Sequence, residues 1–91
     1  PAATNVSRAL AAALASRGRF DEAAAALRSA LAHHPDDAGT WSTLVLVLHD
    51  GGHRREAREA LDQCEARGGH VDPAVAEALR REFGGAAARA R

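Results

Sequence analysis

Apolar and small residues recur along this chain at helical spacing. Leu10 and Leu14 stand one turn apart, and Ala23, Leu27 and Ala30 follow the i, i+4, i+7 stripe of one helix face. No alternation of period two persists, and β-branched and aromatic residues are scarce, which argues against strands. Between the stripes lies punctuation. Gly18, just before Asp21, suits a left-handed helix cap. Asp21 and Glu22 put negative charge in the following first turn, where the helix dipole favours it. His33 and His34 sit at the far end of that helix, and Pro35 stops it. The second half runs the same way, with a helix over about Ala38 to Asp50, a Gly51-Gly52 turn, and a helix from about Arg54 to Arg67. Gly68-Gly69 ends it, and Pro73 opens a fifth helix that reaches about Phe83. The tail from Gly84 to Arg91 has nothing to pack and is expected to fray.

Sliding the sequence against itself makes the second half a copy of the first. At an offset of 34, Leu10 meets Leu44, Leu14 meets Leu48, Gly18 meets Gly52, Glu22 meets Glu56, Ala23 meets Ala57, Leu27 meets Leu61, and Ala30 meets Cys64. Leucine falls on leucine and small on small. Self-similarity at this period is the signature of a stacked repeat.

These residues resemble the tetratricopeptide repeat family. The first unit, residues 4–37, carries the resemblance through Leu10, Ala11, Leu14, Gly18, Phe20, Ala23, Leu27, Ala30 and Pro35. The second, residues 38–71, carries it through Trp41, Leu44, Leu48, Gly52, Ala57, Leu61 and Cys64. There are departures. Ser7 stands where the second unit has Trp41, Val45 replaces a usual small residue, and Arg54 replaces the aromatic found at Phe20. The second unit also ends in Gly68-Gly69-His70 without a proline, so its junction with the closing helix, residues 72–83, is expected to be irregular. The resemblance implies an all-α, right-handed solenoid of helical hairpins, five helices in all, that binds other proteins.

On a wheel of the helix over 38–50, Trp41, Leu44, Val45 and Leu48 share the packing side. Gly39, Ser42 and Leu46 point the other way with Asp50, flanked by Thr43 and His49. In a stack like that of the family, this opposite side lines a concave groove that takes an extended peptide or a helix. The expected groove residues are Asn5, Arg8, Ala12, Gly39, Ser42, Thr43, Leu46, His49, Glu77 and Arg80. The bland alternative is a solvated surface with no ligand. Family members that grip chaperone C-terminal carboxylates use a clamp of Lys, Arg and Asn. The corresponding positions here are Arg8, Ala12, Thr43, Pro73 and Glu77, of which only Arg8 could serve, and Glu77 would repel a carboxylate.

Composition adds a second possibility. Of the hydrophobic 46%, 24 residues are alanine, and Ile, Met and Tyr are missing. Such a core buries little area per residue and needs close helix approach. The run Leu44-Val45-Leu46-Val47-Leu48 makes its helix apolar almost all round, with Val47 on neither the core nor the groove centre. A helix of that kind is normally covered on several sides. Two repeats are also fewer than the ~3 a stacked array generally needs. Both point to a missing neighbour, so the alternative function is an oligomerisation or structural segment, packing through the helix over 38–50 against a second copy or the rest of a longer protein. Pro1 in place of Met fits a trimmed or partial chain.

Charge and chemistry exclude more than they add. Twelve basic and twelve acidic residues balance, leaving no excess cation for nucleic acid or an anionic membrane surface. All the basic residues are arginine, as a GC-rich coding bias would give. No run approaches the ~18 apolar residues of a membrane span, and no signal peptide opens the chain. One cysteine precludes an internal disulfide and suits a reducing, cytoplasmic location. His49 and His53 have ligand spacing, but Asp50-Gly51-Gly52 breaks the helix between them, and His33-His34 point to different sides. Cys64, at the register of Ala30, reads as a packing residue rather than a nucleophile. Asp36-Asp37 read as turn and cap. The expectation is a protein-binding module with no catalytic residues, metal or cofactor.

Overall fold

The computed structural model describes residues 2–83, with side chains from Thr4 onward. Helices α1 (Ala2–Ser16), α2 (Phe20–His33), α3 (Ala38–Asp50), α4 (Arg54–Ala66) and α5 (Pro73–Phe83) follow one another without a strand among the described residues. The fold is all-α, and α3, α4 and α5 lie within a residue of the spans that the punctuation sets. The expectation of a frayed tail falls outside the described residues.

The hairpin turns explain the glycine spacing. After α1, the Gly18 amide bonds to the Ala15 carbonyl at 2.9 Å and the Arg19 amide to the Leu14 carbonyl at 2.9 Å. After α3, Gly52 bonds to His49 at 3.2 Å and His53 to Leu48 at 2.8 Å. This pair of bonds satisfies the last carbonyls of a helix, and it requires a left-handed residue, supplied by Gly18 at φ 76° and Gly52 at φ 82°. The same motif ends α4 at Gly68.

Within each unit the hairpin packs α1 on α2 and α3 on α4, and between units α3 lies against α2 and, less closely, α1. The core is contributed by all five helices, through Ala11, Ala23, Leu27, Leu31, Leu44, Val45, Leu48, Ala57, Leu61, Ala76 and Leu79. Ala11, Ala23, Ala24, Ala30, Ala57 and Ala60 are all buried within the hairpins, so the helix axes can approach closely and small side chains gain dispersion contact. The apolar α3 is covered by the chain itself: Leu44, Val45, Val47 and Leu48 are all buried. That corrects the expectation for Val47, which is 4% exposed. It also removes the broad apolar docking face expected of α3, because α1, α2 and α4 pack around it and leave Leu46 as its one exposed large apolar side chain.

The junction before α5 is irregular, as expected. Asp37 caps α3 by accepting from the Gly39 amide at 3.1 Å, and Asp72 accepts from the Ala74 amide at 2.9 Å at the start of α5. Those caps are 35 residues apart, one more than the spacing of the glycine turns. On this register Leu79 takes the place of Leu44, Val75 that of Thr40 and Phe83 that of Leu48. Arg80 and Glu82 then replace the buried Val45 and Val47. Both of these charged residues pair with α4, Arg80 with Glu65 and Glu82 with Arg54.

Candidate functional site

The expected trough residues lie on α5 and on α1 and α3, which are in contact with each other. Thr4 and Thr40 are fully buried, and Asp37 ties them together. Its carboxylate accepts from the Thr4 hydroxyl, from the Thr40 hydroxyl at 3.0 Å and from the Gly39 amide at 3.1 Å. The Thr4 bond, then those from Thr40 and the nearby Arg8 charge, hold the Asp37 carboxyl below its ordinary range, against an opposing effect of burial. This clasp joins the start of α1 to the cap of α3 and fixes the spacing of the trough.

Arg8 extends from α1 toward α3, bonded to Asn5 and lying so close over Gly39 that a side chain there would strike its guanidinium. The structure thus brings Asn5, Arg8 and Gly39 together. Ser42 donates to the His70 carbonyl and Thr43 to the Gly39 carbonyl at 3.0 Å, so both hydroxyls serve the backbone. Leu46 is 38% exposed, one of three large apolar side chains so exposed among the described residues. Ala12 is exposed on α1, and His49 is half-buried beside Asp50. On α5, Glu77 is exposed, whereas Arg80 is ion-paired with Glu65 of α4. By the register of the caps, the counterpart of Leu46 on α5 is Arg81 and not Arg80. The extra loop residue causes that shift.

A concavity does lie between α2 and α4, over α3. It is a cleft of about 430 Å³ with Leu31, Trp41, Leu44, Leu48 and Ala60 at its base and Arg28, Glu56, Glu59 and Gln63 around it. Arg28 and Glu56 bridge its mouth at 2.6 Å. Trp41 donates its indole N–H to the Pro35 carbonyl at 2.8 Å, and the Arg67 guanidinium lies 5.1 Å from the ring centroid. Sequence reasoning placed Trp41, Leu44 and Leu48 on the packing side but missed the cleft, because three helices make it.

The departures from the repeat pattern have visible causes. Phe20 at the start of α2 packs against Gly51 of the next turn. At the equivalent position of the second unit, Arg54 meets α5 and pairs with Glu82 at 2.6 Å. Cys64 is fully buried, and burial pushes its thiol pKa up, the opposite of what a nucleophile needs. A side chain on Gly69 would stand 2.6 Å from that sulfur. His53 reaches Asp21 at 2.8 Å while His49 reaches Asp50 at 3.3 Å, so the two histidines face different carboxylates.

Comparison with known families agrees with this architecture. The family model for the tetratricopeptide repeat matches residues 14–82, from the last turn of α1 to the last turn of α5. The chain belongs to the tetratricopeptide repeat family. Repeats of this family generally mediate protein–protein contacts and form non-catalytic scaffolds. No curated protein and no solved structure matches the chain. No helix among the described residues is long and apolar enough to cross a membrane.

Proposed function

We propose that this tetratricopeptide repeat segment is an adaptor or docking module that holds a peptide or helix in the trough of α1, α3 and α5. The observation that carries the reading is Leu46. It is the one exposed large apolar side chain of α3, at 38%, and offers an apolar anchor point for a partner's side chain. Arg8 on one side and Glu77 and Arg81 on the other give the trough mixed polarity, which suits a polar backbone with an apolar anchor rather than a greasy helix. Residues 4–37, 38–71 and 72–83 act as two repeats and a closing helix, and the trough residues are those of α1 and α3 named above.

The test starts from peptides selected for binding to the wild-type chain from a random library. Leu46→Glu should weaken them at least about tenfold, that is by ~1.4 kcal/mol or more, while far-ultraviolet circular dichroism stays unchanged. Peptides that bind Leu46→Glu as well as wild type would place the ligand elsewhere, with the cleft over Trp41 next in line.

A further inference from the structure

The cleft over α3 is a product of how the hairpins stack. Both α2 and α4 pack on α3. Ala32 of α2 and Ala60 of α4 line the furrow between them, where longer side chains would close it. Its base is apolar, with Leu31, Leu44 and Leu48 buried and the half-buried Trp41 beside them. The Trp41 indole N–H is held by the Pro35 carbonyl, so the ring offers this space apolar surface alone. The rim is unevenly charged. On α4 it carries Glu56, Glu59 and Gln63 at i, i+3 and i+7, one face of that helix, and on α2 it carries Arg28. Arg28 is taken by Glu56 at 2.6 Å, and the Gln63 amide oxygen by Arg67 at 2.7 Å. Arg67 is itself engaged by the Pro35 carbonyl at 2.6 Å and by Asp36 at 3.5 Å. Glu59 remains, with no hydrogen bond or ion pair among the described residues.

We propose that this cleft is a docking site in its own right, for a segment of a partner protein in which a bulky apolar side chain stands next to lysine or arginine. The apolar side chain enters over Trp41, Leu44 and Leu48, and the cation meets Glu59 at the rim. Charge selects that occupant. An acidic segment would be repelled by Glu59 and Glu56. A purely apolar one would cover Glu59 and strip it of water without supplying a partner. The volume of about 430 Å³ lies toward the lower end of the range for ligand pockets, so the cleft takes side chains and leaves the backbone of the segment outside. Leu46 stands two residues from Leu44 and two from Leu48, on the opposite side of α3, so this site and the trough are separate surfaces.

The test pans a random peptide library lacking tryptophan on the full chain carrying Leu46→Glu, which disables the trough and leaves the cleft intact. Enriched peptides should carry lysine or arginine beside leucine, isoleucine or phenylalanine. Made synthetically, they should perturb the fluorescence of Trp41, the only tryptophan of the chain, and their affinities follow from calorimetry. Glu59→Lys reverses the rim charge and should weaken them at least about fivefold, and Glu59→Gln by less. Ala32→Trp fills the cleft from an exposed position of α2 and should remove binding, with far-ultraviolet circular dichroism unchanged. Gln63→Trp, also exposed, gives the same reading from α4 should Ala32→Trp lose helicity. A library that yields no binder overturns the proposal. So do binders without a basic residue, and binders indifferent to Glu59→Lys or to the tryptophan that fills the cleft. With the trough disabled throughout, failure here leaves the reading of Leu46 standing, and failure of that reading leaves this one.

Discussion

Leu10 and Leu44 offer a controlled experiment, because the chain places the same side chain at the same register in two surroundings. Leu44→Ala removes a side chain that is 2% exposed from the junction of α2, α3 and α4. Lost transfer energy and the resulting cavity together cost about 3 kcal/mol, within the usual range for buried leucine. Leu10→Ala removes a side chain that is 51% exposed, so only about half the transfer energy is at stake and water fills the space. The cost is then about 1 kcal/mol or less. The difference of ~2 kcal/mol should separate the melting temperatures by roughly 8–16 °C for a chain of this size. Thermal and urea unfolding followed by circular dichroism measures both. The comparison is made at a dilution where wild-type Tm no longer varies with concentration, so that Leu10 is read in the single chain. Equal losses, within about 0.5 kcal/mol, would refute the claim that α2 covers the second unit in a way none of the described helices covers the first.

Two further outcomes follow from the turns and caps. Gly51→Ala gains a few tenths to about 1 kcal/mol from the unfolded chain but places a methyl 2.7 Å from Phe20 Cβ, which no rotamer change relieves. The net result should be a loss of about 0.5–2 kcal/mol in urea unfolding, and a neutral or stabilising effect would mean that the hairpin tip yields freely. Asp37 has a folded-state pKa below its unfolded value, so its contribution is present above about pH 4 and is lost as the pH falls through the lower folded value. Asp37→Ala should cost about 1 kcal/mol at neutral pH and flatten the acid limb of a Tm-versus-pH curve, and an unchanged acid limb would remove the clasp between Thr4 and Thr40.

Most of the helical architecture was legible because it is written locally. Gly18 and Gly52 announce their turns, Pro35 and Pro73 mark a stop and a start, and the leucine spacing gives the inner faces. What escaped depends on elements meeting across the fold. Val47 looks peripheral on a wheel of α3 alone and is buried only because α3 is hemmed in by three other helices. The shift of α5 by one residue was hidden by counting from the glycines. Asp37 followed by Ala-Gly and Asp72 followed by Pro-Ala carry the signal, since an aspartate whose carboxylate reaches the amide two residues on marks a helix start more firmly than a turn glycine does. In the trough, the leucine was visible on the wheel. That Arg8 spans to Gly39 while Arg80 is claimed by Glu65 was not, because long side chains choose partners by distance in space.

The closing helix is attached to the stack differently from the other four. Beside the buried Ala76 and Leu79, α5 is held to α4 by exposed ion pairs, Arg54 with Glu82 and Arg80 with Glu65, whereas the two hairpins close over buried alanine and leucine. Salt screens the first kind of contact and leaves the second almost untouched, so rising ionic strength should loosen α5 before it disturbs either hairpin.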